Sequence, residues 1–204
     1  MKRAIAATVV VGVLICCSRF CLAGITVYSY SQSASEAGVN WGQSAIADKL
    51  TMPSGASSFS PLNVRIRVSS TDPKFELTPA DICLWEEDAE GKPGTLLWSL
   101  AAPDMNRGWN EFDISASSLS LPGGSSVFAG YTTSNAWWIS PFYVKSPVVE
   151  GSYQKLDGGA SWQYVDADRY VEMDVAPIPE PSTLIVWSLL GASGIGFGWR
   201  RRKR

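Results

Sequence analysis

Short stretches of alternating hydrophobic and polar residues run through the middle of this chain. The three most regular have apolar positions Val64, Ile66 and Val68; Val127, Ala129 and Tyr131; and Val171, Met173 and Val175. A repeat of two residues places successive side chains on opposite faces of a β-strand. These stretches therefore predict antiparallel strands with one face in a core and the other in solvent.

Further strand-like stretches complete an all-β pattern between residues 24 and 176. Strands are predicted at residues 26–31, 47–52, 81–86, 96–100, 109–114, 137–144 and 161–165, and Gly- and Pro-rich turns at 91–94, 121–124 and 157–159. Many short strands joined by frequent turns predict a two-sheet antiparallel β-sandwich of jelly-roll type.

Residues 1–23 have the three parts of a secretory signal peptide. Lys2 and Arg3 give a basic start, residues 4–15 are almost wholly apolar, and the segment ends on the small residue Ala23. The apolar run is too short for a stable membrane span. We therefore expect export by the Sec machinery and cleavage by signal peptidase after Ala23.

Removal of this signal leaves Cys83 as the single cysteine, because Cys16, Cys17 and Cys21 precede the cleavage point. Lipidation of Cys16 is an alternative to simple cleavage, but the bulky Ile15 before it is unfavourable. One thiol cannot form an internal disulfide, so the fold must depend on its hydrophobic core. Cys83 lies in an apolar stretch, which predicts a buried and unreactive thiol.

The composition excludes several classes of chemistry. The chain has no histidine, which excludes Ser-His-Asp and Cys-His catalysis and any imidazole metal site, including Cys/His zinc. Residues 24–178 contain 9 Lys and Arg against 18 Asp and Glu, a net charge of −9. An acidic body argues against nucleic-acid binding, since phosphate contacts need clustered cations. We expect no cofactor.

The last part of the sequence is an apolar segment followed by a basic cluster. Residues 184–199 contain no charged side chain, and the cluster consists of Arg200, Arg201, Arg202, Lys203 and Arg204. As a helix the segment spans roughly 24 Å, close to the thickness of a hydrocarbon core. We predict a transmembrane helix at 182–199 and a cytoplasmic topology signal at 200–204. A buried core helix is the alternative, and the glycines of the segment disfavour it.

Pro179, Glu180 and Pro181 stand just before this segment. Three prolines within residues 177–181 predict a stiff, extended stretch outside helix and central strand. The triplet, the glycine-rich apolar span and the basic cluster together resemble the PEP-CTERM sorting signal over residues 177–204. The resemblance implies that the triplet is recognised by an exosortase, a membrane-embedded cysteine protease of Gram-negative bacteria that make exopolysaccharide. It also implies an inner-membrane intermediate and a final location at the cell surface or outside the cell.

A second resemblance concerns the body of the chain. Residues 82–85, 90–97, 108–112, 127–131 and 157–162 are similar to jelly-roll domains of secreted bacterial proteins, including the choice-of-anchor type. This resemblance implies a fold and a location, because those domains have no shared activity.

Two sets of residues in the body are candidate binding sites. Asp88 and Glu90, in the acidic stretch 86–90, are weak calcium candidates, although a solvated turn without the EF-hand spacing is the favoured alternative. Trp137 and Trp138 are adjacent on a predicted strand, so their side chains point to opposite faces. One of them is expected to face outward near Tyr143, where aromatic rings could stack on a glycan, and burial in the core is the alternative.

Three functions remain open at this point. The preferred one is a non-catalytic cell-surface or extracellular-matrix protein that exosortase processes. The second is a carbohydrate-binding module of the exopolysaccharide matrix, which predicts an exposed aromatic platform. The third is a secreted glycan-active enzyme, which predicts two carboxyl groups about 5–10 Å apart in a groove.

Overall fold

The computed structural model describes residues 24–30, 38–39, 43–69, 78–133, 140–144, 152–156 and 159–180. Within them the chain forms β-strands and one 3-10 turn, Ser115–Ser117. The strands are β1 (Ile25–Tyr28), β2 (Gly38–Val39), β3 (Gln43–Thr51), β4 (Ser58–Ser69), β5 (Thr78–Glu87), β6 (Pro93–Met105), β7 (Gly108–Asp113), β8 (Leu121–Pro122), β9 (Ser126–Thr132), β10 (Ser140–Val144), β11 (Ser152–Leu156), β12 (Gln163–Val165), β13 (Asp168–Arg169) and β14 (Val171–Pro177).

The first sheet has eight strands and is built around β4. Its order is β1-β14-β4-β10-β13, while β7 and β8 also pair with β4 and β2 pairs with β10. β14 pairs antiparallel with β4 as far as Pro177 opposite Phe59. β1 lies on the other side of β14, with Ile25 opposite Val175. The two ends of the described chain therefore lie side by side in this sheet.

The second sheet has six strands in the order β12-β11-β3-β9-β5-β6, again with antiparallel pairing. Two of its central strands, β3 and β9, approach closely at Gly130. A Cβ atom at this position would lie 2.0 Å from the backbone oxygen of Ile46. Glycine is therefore required at this point of β9, because any side chain would push the strands apart.

The two sheets pack face to face around one hydrophobic core, and this makes the domain a β-sandwich. The first sheet contributes Val27, Phe59, Val64, Ile66, Val68, Leu121, Val171, Met173 and Val175. The second contributes Ile46, Leu50, Ile82, Leu84, Val127, Ala129 and Tyr131. Full burial of each such aliphatic or aromatic side chain contributes about 1.5–3 kcal/mol, so this shared core is the main stabilising element.

The predicted all-β class with two antiparallel sheets is confirmed. The three regular alternating stretches form β4, β9 and β14, and their apolar positions are buried. The stretches at 26–31, 47–52, 81–86, 96–100, 109–114 and 161–165 overlap β1, β3, β5, β6, β7 and β12, and the described part of 137–144 is β10.

Four strands were not predicted from the sequence. β2, β8 and β13 have two residues each, which is too short to show a period. β11 has five residues, but its buried Ser152 is polar, so the usual alternation of apolar and polar residues is inverted. The strand is therefore invisible to a search for apolar positions.

The predicted signal peptide 1–23, the predicted span 182–199 and the basic tail 200–204 lie outside the described residues. In the part of the chain that the structure describes, no helix combines the length and apolar character needed to cross a bilayer.

Candidate functional site

The end of β14 leads the chain directly into the predicted sorting motif. Pro177 lies opposite Phe59 on β4. One residue later, the Ile178 amide donates a hydrogen bond to the Ser58 carbonyl over 2.9 Å. Attachment to β4 therefore continues up to the residue that precedes Pro179.

The first of the three prolines lies in the sheet, although not in a helix or a central strand, which the sequence excludes. Pro177 is the last residue of β14, one position beyond the expected domain boundary at 176. The pairing of β14 with β1 begins only at Val175, so Pro177 has a neighbouring strand on one side alone. A proline is tolerated there because its missing amide removes no hydrogen bond from a two-sided ladder.

Pro179 and Glu180 follow immediately and are both exposed, outside any strand. Pro181 lies outside the described residues, as do the cations at 200–204. Since the sheet holds Ile178, the fold places the first two residues of the triplet at a defined point on the surface of the sandwich.

A buried group of polar side chains joins the two sheets. Asp48 on β3 and Arg169 on β13 are almost fully enclosed, and Arg169 Nη1 lies 3.9 Å from Asp48 Oδ1. Arg169 also donates to the Ser152 hydroxyl and, over 2.8 Å, to Gln154 Oε1, both on β11. Through these contacts a side chain of the first sheet binds two strands of the second.

Burial determines the electrostatics of this group. Removal from water raises the pKa of Asp48 to about 7, and the positive charge of Arg169 opposes this shift. Asp168 is also buried and adds negative charge, while burial raises the pKa of Tyr131 above its ordinary value. Among the described residues, neither carboxylate oxygen of Asp48 has a hydrogen bond. With no surface open to a substrate, this group is a structural element of the core.

The outer face of the second sheet carries a cluster of aromatic side chains, which we call the aromatic surface. It consists of Trp85, Phe128, Tyr153, Trp162 and Tyr164. Neighbouring rings meet edge to face, with centroid distances of 5.3 Å for Trp85–Trp162, 5.4 Å for Phe128–Tyr153 and 5.6 Å for Tyr153–Tyr164. The ammonium of Lys155 lies 4.8 Å from the centroid of the Trp162 ring, within cation–π range.

Exposure rises across the aromatic surface towards the edge strand β12. Phe128 is fully buried and Trp85 nearly so, because Tyr153 and Trp162 pack against them. Tyr164, on β12, is 55% exposed. The surface is therefore closed by its own side chains at the centre of the sheet and open at one edge.

Cys83 lies in the closed part of this cluster, packed with Trp85 and Phe128. Burial raises the pKa of its thiol to about 11. The sulfur lies 3.5 Å from the Asp81 carbonyl oxygen and 3.9 Å from the Thr132 hydroxyl. The predicted burial of this cysteine is confirmed.

The outer face of the first sheet has a second aromatic row. Tyr28 and Tyr30 meet at 5.7 Å between centroids, Tyr30 and Tyr170 at 4.5 Å, and Tyr170 and Trp109 at 6.2 Å. Trp109 is 44% exposed. The Tyr30 hydroxyl donates to Glu172 over 2.5 Å, and burial together with this bond raises the pKa of the tyrosine. The row is thus shorter and more tied into polar contacts than the aromatic surface.

The calcium candidates form a turn between β5 and β6. Asp88 Oδ1 accepts hydrogen bonds from the amides of Glu90 over 2.9 Å and Lys92 over 2.8 Å, and the Glu90 carboxylate pairs with Lys92 Nζ at 2.8 Å. Gly91 has a φ of +78°. The turn thus spans 88–92, slightly earlier than predicted, because Pro93 already begins β6. Within the described ranges, no three His, Cys, Asp or Glu side chains are placed to hold a metal ion.

The predicted glycan contacts are not tested. Trp137 and Trp138 lie outside the described residues, and Tyr143 is described only as backbone within β10. The aromatic surface was missed because its rings come from strands far apart in the sequence. The burial of Asp48, in contrast, could have been predicted from the sequence, since it lies between Ile46 and Leu50 on the apolar face of β3.

Comparison with known proteins identifies one part of the chain. No curated protein matches it significantly. The family model described as the PEP-CTERM protein-sorting motif matches residues 177–203. This match begins at the last residue of β14 and includes the exposed Pro179 and Glu180. The chain therefore carries, at residues 177–203, a PEP-CTERM protein-sorting motif.

Proposed function

We propose that this chain is an exported, non-catalytic protein of the cell surface or extracellular matrix. The sorting motif supports export toward the cell surface and implies exosortase as the processing partner. The observation that carries the proposal is the direct passage from β14 into the exposed Pro179 and Glu180. In this arrangement the folded β-sandwich is the exported domain, and the segment after it is the sorting signal.

The proposed route has three steps. Signal peptidase removes residues 1–23 after Sec-dependent export. The helix at 182–199, stopped by the cations at 200–204, then holds the precursor in the inner membrane, since a charge-free apolar helix prefers lipid to water. Exosortase finally cleaves near the triplet at 179–181, and the sandwich leaves the membrane.

The contacts of the acidic side chains support a non-catalytic domain. Several carboxylates have structural partners: Glu87 with Lys49, Glu90 with Lys92, Glu172 and Asp174 with Arg65, and Asp113 with the Ser115 amide. Asp48 is enclosed beside Arg169. A glycan-active enzyme needs two carboxyls that face each other across a groove, whereas these groups stabilise turns, strands and the core.

Mass spectrometry of the protein from its native host tests this proposal. We expect a mature chain that begins at Gly24 and ends between Pro179 and Ser182. A chain that keeps Arg204 throughout the life of the cell would contradict sorting and leave a permanently anchored protein. Replacement of Pro179 and Glu180 by alanine is expected to stop trimming, while the same change at the exposed Asn106 and Arg107, at the opposite end of the sandwich, is expected to leave it intact.

A second candidate function is carbohydrate binding in the exopolysaccharide matrix, and the aromatic surface favours it. Tyr164 is 55% exposed beside Tyr153, and Trp162 carries a nearby cation in Lys155. Exposed rings on a rigid sheet provide flat apolar faces with polar groups at the rim, which suits a sugar ring. In this case the jelly-roll-like sandwich serves as a binding module.

Titration with the exopolysaccharide of the producing bacterium and with a panel of oligosaccharides distinguishes the two candidates. If the aromatic surface binds sugars, Tyr164→Ala is expected to weaken binding about threefold to tenfold, through the loss of one ring contact. Trp109→Ala, which removes an exposed ring from the other sheet, is the matched control. Absence of binding across the panel would leave the structural role alone.

A further inference from the structure

The end of the sandwich from which the sorting motif emerges has a defined surface, which we call the exit pole. It consists of residues 53–57 and 118–125 together with Gly24 and Ile178. The two loops are joined by backbone hydrogen bonds from the Met52 amide to the Ser125 carbonyl over 2.8 Å and from the Gly123 amide to the Ser57 carbonyl over 2.9 Å. A Cβ at Gly123 would lie 1.9 Å from the Ala56 oxygen, so the loops are in close contact.

The exit pole lies directly against the point where the chain leaves the sheet. Ser58 accepts the hydrogen bond from Ile178 and, on the other side of β4, lies opposite Pro122. The β-ladder therefore connects the last attached residue to both loops. A protease that binds the chain just after Ile178 therefore also lies against these loops.

The length of the linking segment favours this contact. Only residues 179–183 separate Ile178 from Leu184, the first residue of the apolar segment. Five residues span at most about 18 Å even when fully extended. A protease that encloses several residues around the cleaved bond occupies much of such a gap, which brings it close to the folded domain.

The charge of the exit pole is unlike that of the rest of the domain. Residues 50–64, 114–127 and 175–179 contain no charged side chain, although the body carries a net charge of −9. The acidic stretch 86–90 begins with the last two residues of β5, where Glu86 pairs with Val127 of β9 in the second sheet. The first-sheet half of this end is thus neutral and built of small residues, and its removal from water costs less than removal of a charged surface.

The N-terminal strand leads to the same place. β1 begins beside the end of β14, with Ile25 opposite Val175. Gly24, the residue that follows the predicted signal-peptidase site, therefore lies close to the exit of the sorting motif, with its Cβ position 3.8 Å from the Val175 oxygen. The first and last residues of the body therefore lie at one end of the sandwich.

We propose that the exit pole is the surface on which the membrane-bound sorting protease docks while it cleaves the motif. This inference rests on the proposed sorting function. Docking onto a neutral, rigid end of the sandwich positions Pro179 and Glu180 for the protease without unpairing β14. A precursor with charges on this end loses this contact, because charged side chains resist removal from water.

The test uses the full-length precursor, expressed in its host with the sorting protease, and follows trimming by pulse-chase and mass spectrometry. The exposed Gly55 and Ser57 are changed together, Gly55→Glu and Ser57→Glu, because a Cβ at Gly55 has no described atom within 4 Å. The matched control, Asn106→Glu with Arg107→Gln, changes net charge by the same amount in the exposed turn before β7, at the opposite end. We expect trimming of the pole variant to slow at least about fivefold and the control to match wild type.

A spacer distinguishes loss of docking from misfolding as the cause of slow trimming in the pole variant. Eight Gly and Ser residues inserted between Ile178 and Pro179 move the motif away from the pole, and they are expected to restore trimming of the pole variant. Trimming of the pole variant at the wild-type rate, or no recovery with the spacer, would overturn the docking inference while sorting itself stands. If the wild-type precursor is never trimmed, the proposed function fails and the docking surface with it.

Discussion

Arg169 and Asp48 face each other across the two sheets of the sandwich, with 3.9 Å between Nη1 and Oδ1 and with both side chains almost fully enclosed. The guanidinium also binds Ser152 and Gln154. A charge in this position is tolerated only because its partners are fixed around it. The pair therefore sets how β13 and β11 are placed relative to the core.

Above pH 7, where Asp48 is ionised, replacement of Arg169 by methionine is expected to lower the free energy of unfolding by about 3–5 kcal/mol, because it leaves a buried carboxylate without its cation. Urea unfolding of residues 24–180 measures the change. Lys92→Met is the control, since it removes an exposed ion pair with Glu90 and is expected to change the free energy of unfolding much less. Equal losses for the two variants would mean that Arg169 contributes only as a surface charge does.

Asp48 is expected to make the domain less stable as pH rises. Its pKa in the folded protein is about 7, against 3.8 for the free side chain, so the folded state holds a proton that the unfolded state has lost between these values. Stability from this group is greatest below about pH 4 and falls by up to about 4 kcal/mol as pH rises to 7 and above. The positive charge of Arg169 opposes the shift of the Asp48 pKa, and the negative charge of Asp168 reinforces it.

Asp48→Asn tests this dependence, because the amide keeps the shape and loses the titration. We expect the slope of unfolding free energy against pH between 4 and 7 to become flatter in the variant. An unchanged slope would assign the dependence to other carboxylates.

The parts of the fold that the sequence predicts are those set by local pattern. Val64, Ile66 and Val68 face the core because apolar residues at a spacing of two have one way to be buried in a strand. β11 was not predicted because its inward positions are Ser152 and Gln154. These polar side chains are stabilised there by Arg169 from a distant strand. A strand whose buried polar residues depend on a partner far away in the sequence shows no local alternation of apolar and polar residues.

The candidate site also has features that the sequence predicts and features that only the fold shows. Pro179, Glu180 and Pro181 are contiguous, so the motif is visible in the sequence alone. The attachment of Ile178 to Ser58, 120 residues earlier in the chain, is visible only in the fold, and it is what places the motif against the sandwich. The aromatic surface likewise depends on the register that sets Tyr153 opposite Tyr164.

Cys83 is expected to be unreactive in the native protein. Its pKa of about 11 leaves almost no thiolate at neutral pH, and Trp85 and Phe128 pack around it. Iodoacetamide at pH 7.5 should leave the folded sandwich unmodified and should alkylate Cys83 after unfolding in urea. Rapid labelling of the native protein would show that the closed part of the aromatic surface opens readily.

Gly130 is expected to be the glycine of the second sheet that tolerates substitution least. A Cβ there would lie 2.0 Å from the Ile46 oxygen, which belongs to the backbone of the paired strand β3 and cannot rotate away as a flexible side chain can. Gly130→Ala should therefore lower the free energy of unfolding by about 1–3 kcal/mol, the usual cost of overpacking.

Gly55→Ala is the matched control for this substitution, because a Cβ at Gly55 has no described atom within 4 Å. The added methyl group restricts the unfolded chain, so the control is expected to be neutral or slightly stabilising. Urea unfolding of both variants under one condition separates the two effects. If Gly130→Ala is as stable as Gly55→Ala, β3 and β9 can move apart without loss, and the central spacing of the second sheet does not depend on glycine.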